Sequence, residues 1–177
     1  MGTVILITGG VRSGKSSWAL KQGNSSSGFP KVFIATAEVF DDEMKIRANN
    51  HQRERGEEWQ TIEEPYDIAL TKGKMDPGSV AIIDCCTVWL GNIWHKFKDN
   101  DLSVKTNIDF FCTVLANWQK SNQGEIIIVS NEVGWGIVPI DPGVRSFRDW
   151  AGKLNQQIAE IANEVFLCVA GIPLKIK

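Results

Sequence analysis

Residues 9–16 read Gly9-Gly10-Val11-Arg12-Ser13-Gly14-Lys15-Ser16 and fit the pattern G-x-x-x-x-G-K-[ST], between an apolar run and a helical one. The chemistry that needs this order is the holding of a phosphate chain. Glycines let consecutive backbone N–H groups curl around phosphate oxygens, and the helix that starts at Lys15 adds the positive end of its dipole. Lys15 reaches the terminal phosphates, and Ser16 offers a hydroxyl to Mg²⁺. An acid, Asp84, closes the apolar run SVAIID. A carboxylate there either holds Mg²⁺, directly or through water, or caps the next helix. These residues imply a nucleoside triphosphate and Mg²⁺, and they leave the phosphate acceptor open.

Phosphate loops ordinarily work without histidine, yet NNHQRERG (49–56) holds His51, one of two histidines in the chain, among Arg47, Arg53 and Arg55. A neutral imidazole is a competent nucleophile near neutral pH. Guanidinium forks would hold phosphate oxygens in two-point contacts, and nearby positive charge would keep the imidazole unprotonated. Arg47 lies four residues before His51, on the same helix face. The residues alone allow a second reading, a solvated helix face on which the arginines pair with Glu54, Glu57 and Glu58.

Something must position these groups. Five apolar, β-rich runs recur: TVILIT (3–8), KVFIAT (31–36), SVAIID (79–84), EIIIVS (125–130) and EVFLCVAG (164–171). They are near-continuous and do not alternate, which is how strands buried on both faces read. Four helical segments lie among them, at 15–23, 41–55, 104–120 and 144–163. The second opens on Asp41-Asp42, suited to a cap and to the helix dipole. The last carries Phe147, Ala151, Leu154, Ile158, Ile161 and Val165 along one face. The tail GIPLKIK is expected to add a short edge strand, and GNSSSG (23–28) a polar loop. The expected fold is therefore α/β, a P-loop NTPase of RecA-like kind, with a mostly parallel sheet and helices on both faces. At 177 residues, one domain over 1–177 is the expectation.

Bulk composition narrows the classes. The net charge is −2, which argues against nucleic acid as a partner. No apolar run reaches membrane-spanning length, and MGTVILITGG reads as a core strand and not as a signal peptide. The four cysteines, Cys85, Cys86, Cys112 and Cys168, have no paired metal-site spacing and read as buried thiols in a reducing cytoplasm.

Beyond the loop, the segments ITGGVRSGKSSWA (7–19), FIATAEVFDDEMKIRANNHQRERGEEWQTIEEP (33–65), IIDCCTVWLGN (82–92), VSNEVGWGIVP (129–139) and FRDWAGKLNQQIAEIANEVFLCVAGIPLKIK (147–177) resemble the bifunctional adenosylcobinamide kinase / adenosylcobinamide-phosphate guanylyltransferase family of cobalamin biosynthesis. The resemblance implies phosphorylation of a corrinoid, adenosylcobinamide, by ATP or GTP, then transfer of GMP from GTP to that phosphate. It implies that His51, seven residues after Met44, becomes guanylylated. It adds Thr36, Ala37, Glu38, Arg53, Glu54, Arg55, Gly56, Glu63 and Asp84 to the nucleotide-binding set, and it implies a homotrimer. Many relatives carry proline at Gly56 and glutamate at Asp84. VSNEVGWGIVP, with Asn131 and Glu132, is expected at the rim of the site, at a subunit contact, or as a structural turn. Trp89, Trp94 and Trp135 are candidates for a corrinoid platform, and Arg148, Lys153 and Asn155 for a face toward a partner subunit, while His95 reads as helix surface. Two other readings stay open: a small-molecule kinase with one activity, and a GTP-binding regulatory protein.

Overall fold

The computed structural model describes residues 1–38, 55–97, 100–120 and 124–177, without the side chains of Lys72 and Lys74. The elements in chain order are β1 (Thr3–Gly9), α1 (Lys15–Ser25), β2 (Lys31–Ala35), β3 (Trp59–Glu63), a 3-10 helix (Ile68–Lys74), β4 (Val80–Asp84), α2 (Cys86–Lys96), α3 (Asp101–Lys120), β5 (Glu125–Val129), α4 (Pro142–Ile161), β6 (Glu164–Val169) and β7 (Ile172–Lys175). The helix expected over 41–55 lies outside the described residues, apart from Arg55 at its end.

The strands form one sheet in the order β3-β2-β4-β5-β1-β6-β7. All neighbours pair in parallel except β6 and β7, which form an antiparallel hairpin at the edge. The apolar runs become strands because both their faces are covered. Val4, Leu6, Ile83, Ile126 and Ile128 point to the side packed by α2, α3 and α4, where Trp89, Phe111, Trp118, Leu154 and Ile158 complete a core. Ile5, Ile7, Ile82, Ile127 and Val129 point to the opposite side, where Ala19 of α1 and Cys168 close a smaller core. Each large side chain so buried stabilises the fold by about 1.5–3 kcal/mol relative to exposure.

Two elements depart from the sequence reading. β3 was absent from the expected strands: WQTIE buries only Trp59 fully and exposes Gln60 and Glu63, so it lacks a continuous apolar run. Helix α2 adds a fifth helical segment directly after Asp84, and its cap is Cys85, whose Sγ accepts from Val88 N–H. Asp84 is thus not the capping residue.

Candidate functional site

The phosphate loop joins β1 to α1. Gly14 caps α1 at φ 92, and Arg12 also has positive φ, at 55. Gly9 (φ 145) admits no side chain: a Cβ there would stand 2.4 Å from the carbonyl oxygen of Cys168. The β6–β7 turn lies against the loop, and Gly171 N–H donates to Ser13 O at 2.9 Å. The hairpin therefore braces the loop. Ser13 is buried, while Val11 and Arg12 are exposed. Lys15 is 6% exposed, and its Nζ donates to Gly10 O at 2.5 Å and reaches Ser13 Oγ at 3.4 Å. Burial lowers its pKa, against the raising influence of Cys85, Asp84 and Cys168.

Beside the loop lies a cavity of about 420 Å³, lined by Ser16, Ser17, Leu20, Lys21, Asn24, Ser25, Phe33, Arg55 and Asp84. Asp84 ends β4 and is joined to Cys85 by a cis peptide bond. Arg55 is 8% exposed, and its guanidinium carbon stands 3.7 Å from the centre of the Phe33 ring. Its Nε has no hydrogen-bond partner among the described residues. Burial lowers the Arg55 pKa and Asp84 counters it. One carboxylate thus supports two buried cations, Lys15 in the loop and Arg55 in the cavity wall. Burial and then Asp84 push the Cys85 thiol up to about 11, so it is no nucleophile at neutral pH. Two cations and hydroxyls around a glycine loop make a site for a polyphosphate.

The remaining expected residues fall into three groups. Ala37 and Glu63 are exposed at the ends of β2 and β3, and half-buried Glu38 accepts a hydrogen bond from Tyr66, raising the tyrosine pKa. Gly56 follows Arg55 at φ 81, a region closed to proline, so this chain leaves the histidine segment by a path that proline cannot take. Thr36 is fully buried: its hydroxyl bonds both Cys85 O and Cys85 N–H, its N–H donates to Asp84 O, and its carbonyl accepts from Asn92. It ties the ends of β2 and β4 to the start of α2. Arg47, His51, Arg53 and Glu54 lie outside the described residues.

VSNEVGWGIVP leaves β5 beside the loop, with Glu132 N–H donating to Gly9 O at 3.0 Å. Arg148 holds the carbonyls of Gly134, Gly136 and Ile137, and Arg145 those of Pro139 and Ile140. Asn155 bonds Ser130 and Asn131. Arg148 and Asn155 therefore grip this chain's own loop; Lys153 is exposed, over the Trp150 ring. Trp89 is corrected, being 1% exposed with its indole N–H on Tyr66 O. Trp94 is half-buried edge-on to Phe147, and Trp135 is 75% exposed.

Sequence reasoning missed Phe33 beneath Arg55 and the wall of Ser17, Leu20, Lys21 and Asn24. Their spacing of three and four was a usable signal, since it sets them on one face of α1.

Three comparisons bear on this geometry. The sequence profile of the family described as cobinamide kinase / cobinamide phosphate guanyltransferase matches residues 5–176. The chain is similar to the bifunctional adenosylcobalamin biosynthesis protein CobU of Escherichia coli, 38% identical over 98% of this chain and 99% of that one. It is similar to the bifunctional adenosylcobalamin biosynthesis protein CobP of Pseudomonas aeruginosa, 37% identical over 97% of this chain and 96% of that one. In fold it is similar to the RadB recombinase, with TM-score 0.55 and 14% identity over 93% of this chain and 73% of that one. The fold is that of the RecA-like P-loop NTPases. No helix among the described residues is long and apolar enough to cross a membrane.

Proposed function

The chain belongs to the cobinamide kinase / cobinamide phosphate guanyltransferase family, and we propose that it carries both reactions on one nucleotide site within a single domain over 1–177. It phosphorylates adenosylcobinamide with ATP or GTP. It then transfers GMP from GTP, through a guanylylated His51, to give adenosylcobinamide-GDP.

The observation that carries this reading is that Arg55, four residues after His51, lines the same cavity as Ser16 and Asp84. The histidine segment therefore ends at the nucleotide loop. In the kinase step Lys15 and the loop N–H groups bind the terminal phosphates and orient them. Ser16 and Asp84 offer hard oxygen donors in one cavity and fit Mg²⁺. When bound, that ion neutralises charge on the phosphate oxygens. In the transfer step the His51 imidazole attacks the α-phosphate, pyrophosphate leaves, and the corrinoid phosphate then takes the GMP. Arg53 and Arg55 hold phosphate oxygens in this scheme. The assembly is a homotrimer in the cytoplasm, and nucleic acid is not a partner.

The test is incubation with Mg²⁺ and GTP labelled at the α-phosphate, beside His51→Ala. Label that survives denaturation on the parent and not on the variant is expected. A parent that stays unlabelled while it phosphorylates the corrinoid would reduce the protein to a kinase.

A further inference from the structure

We infer that Asn131 binds the terminal phosphate of the nucleotide together with the hydroxyl that accepts it, and so is a catalytic residue of the phosphoryl step. This deepens the kinase reading above and rests on it. β5 runs between β1 and β4, whose carboxyl ends carry the phosphate loop and Asp84. Val129 is level with Ile7 on one side and Asp84 on the other. Asn131 comes two residues later, about 7 Å further along at roughly 3.3 Å per residue. Side chains alternate along an extended chain, so Asn131 emerges on the same face as Val129. That face is the one α1 covers, where Val129 shares a core with Ala19 and Cys85. The side chain therefore enters the gap between the glycine loop and Asp84. Its contacts agree: Nδ2 lies 3.9 Å from Cys85 Sγ, and the next residue bonds Gly9 O.

The amide is held firmly and left open. Asn131 N–H donates to Thr87 Oγ1 at 2.6 Å, and its carbonyl accepts from Asn155 Nδ2 at 3.1 Å. Thr87 and Asn155 in turn bracket the Ser130 hydroxyl, at 3.1 and 2.6 Å. Beyond the long sulfur contact, the side-chain amide has no hydrogen bond to a described residue. Its neighbours are otherwise engaged: Ser130 is buried in that network, and the Glu132 carboxylate turns back to accept from Gly134 N–H at 3.0 Å. A primary amide donates and accepts at once, as the meeting point of a phosphoryl oxygen and an alcohol requires. In the step, the alcohol oxygen forms a bond to the terminal phosphorus as the bridging P–O bond breaks. The nucleoside diphosphate leaves with the electron pair, and the hydroxyl proton passes to a phosphoryl oxygen and then to water. Asn131 Nδ2 donates to the phosphoryl oxygen, and Oδ1 accepts from the hydroxyl until it reacts.

The experiment measures kcat and KM of the full chain with Mg-ATP and adenosylcobinamide, and the slow release of phosphate with water as acceptor. Asn131→Ala is expected to lower kcat about 100-fold while KM for ATP stays within about threefold. The near-isosteric Asn131→Asp, which cannot donate, should lose as much with an unchanged melting temperature, and it decides the matter if the alanine variant unfolds. Asn155→Ala, which removes a positioning residue, should cost less alone and add little to Asn131→Ala. A kcat within about threefold of the parent, or a KM for ATP that rises in step with the loss, overturns the assignment. A parent that hydrolyses ATP and phosphorylates no corrinoid overturns the functional reading instead. Asn131 is then judged on hydrolysis, where a comparable loss upholds it and a parental rate overturns it.

Discussion

Replacing Arg55 with methionine should separate nucleotide binding from folding. The guanidinium sits 3.7 Å from the Phe33 ring centre, and a desolvated contact of this kind contributes about 2 kcal/mol. Against it stands the buried Nε, without a partner among the described residues, which costs about 1–3 kcal/mol. The downward push on the Arg55 pKa shows that burial disfavours its charge despite Asp84. Methionine keeps an unbranched stem over Phe33 and restores about 0.3–1.5 kcal/mol of sulfur–aromatic contact. The opposing terms nearly cancel, so the melting temperature should move by less than about 4 °C, the equivalent of roughly 1 kcal/mol in a chain of this size. Binding has no such compensation. A charge-assisted hydrogen bond to phosphate contributes about 1.5–3 kcal/mol, so the Kd for GTP should rise about 10- to 100-fold. Thermal melting and titration with a fluorescent GTP analogue read the two effects separately. A melting temperature lowered by more than about 6 °C with an unchanged Kd would refute this reasoning and make Arg55 a structural strut.

Other substitutions and conditions test the same geometry. Gly9→Ala places a Cβ 2.4 Å from Cys168 O and should destabilise by about 2–4 kcal/mol in urea melts, from overpacking plus backbone strain. Lys15 has a folded pKa below its ordinary 10.5, so nucleotide affinity should fall as pH rises through that lowered value, and Lys15→Arg should flatten the profile. The same shift has a stability sign: the folded chain releases the Lys15 proton before the unfolded chain does, so this residue's contribution to stability rises with pH up to about 10.5. Cys85, Cys86, Cys112 and Cys168 are all buried, with thiol pKa values raised. An aromatic disulfide reagent at pH 8 should therefore label native protein only slowly, and all of them promptly in urea.

The glycine loop was legible because its pattern is local and each residue has a separate task. The central strands were legible because both their faces are buried, which leaves unbroken runs such as ILIT and IIIV. β3 escaped because an edge strand that buries one large residue leaves no such run. Contacts across the chain escaped for another reason: nothing local in Phe33 announces Arg55, and nothing in Cys168 or Gly171 announces the loop they touch. Thr36 shows the converse. Its side chain ties β2 to the start of α2, a contact visible only from its hydrogen bonds. Asn131 was noticed within a glycine-rich segment, but its face and level follow only from the pairing of β5 with β1 and β4.

The bond from Gly171 to Ser13 also has a consequence in time. Synthesis proceeds from the amino end, so residues 9–16 leave the ribosome with their pattern complete and their brace unmade. The hairpin of residues 164–175 follows every other strand of the sheet. The loop is therefore braced late in the life of the nascent chain, and a copy interrupted before the hairpin carries the motif without this support.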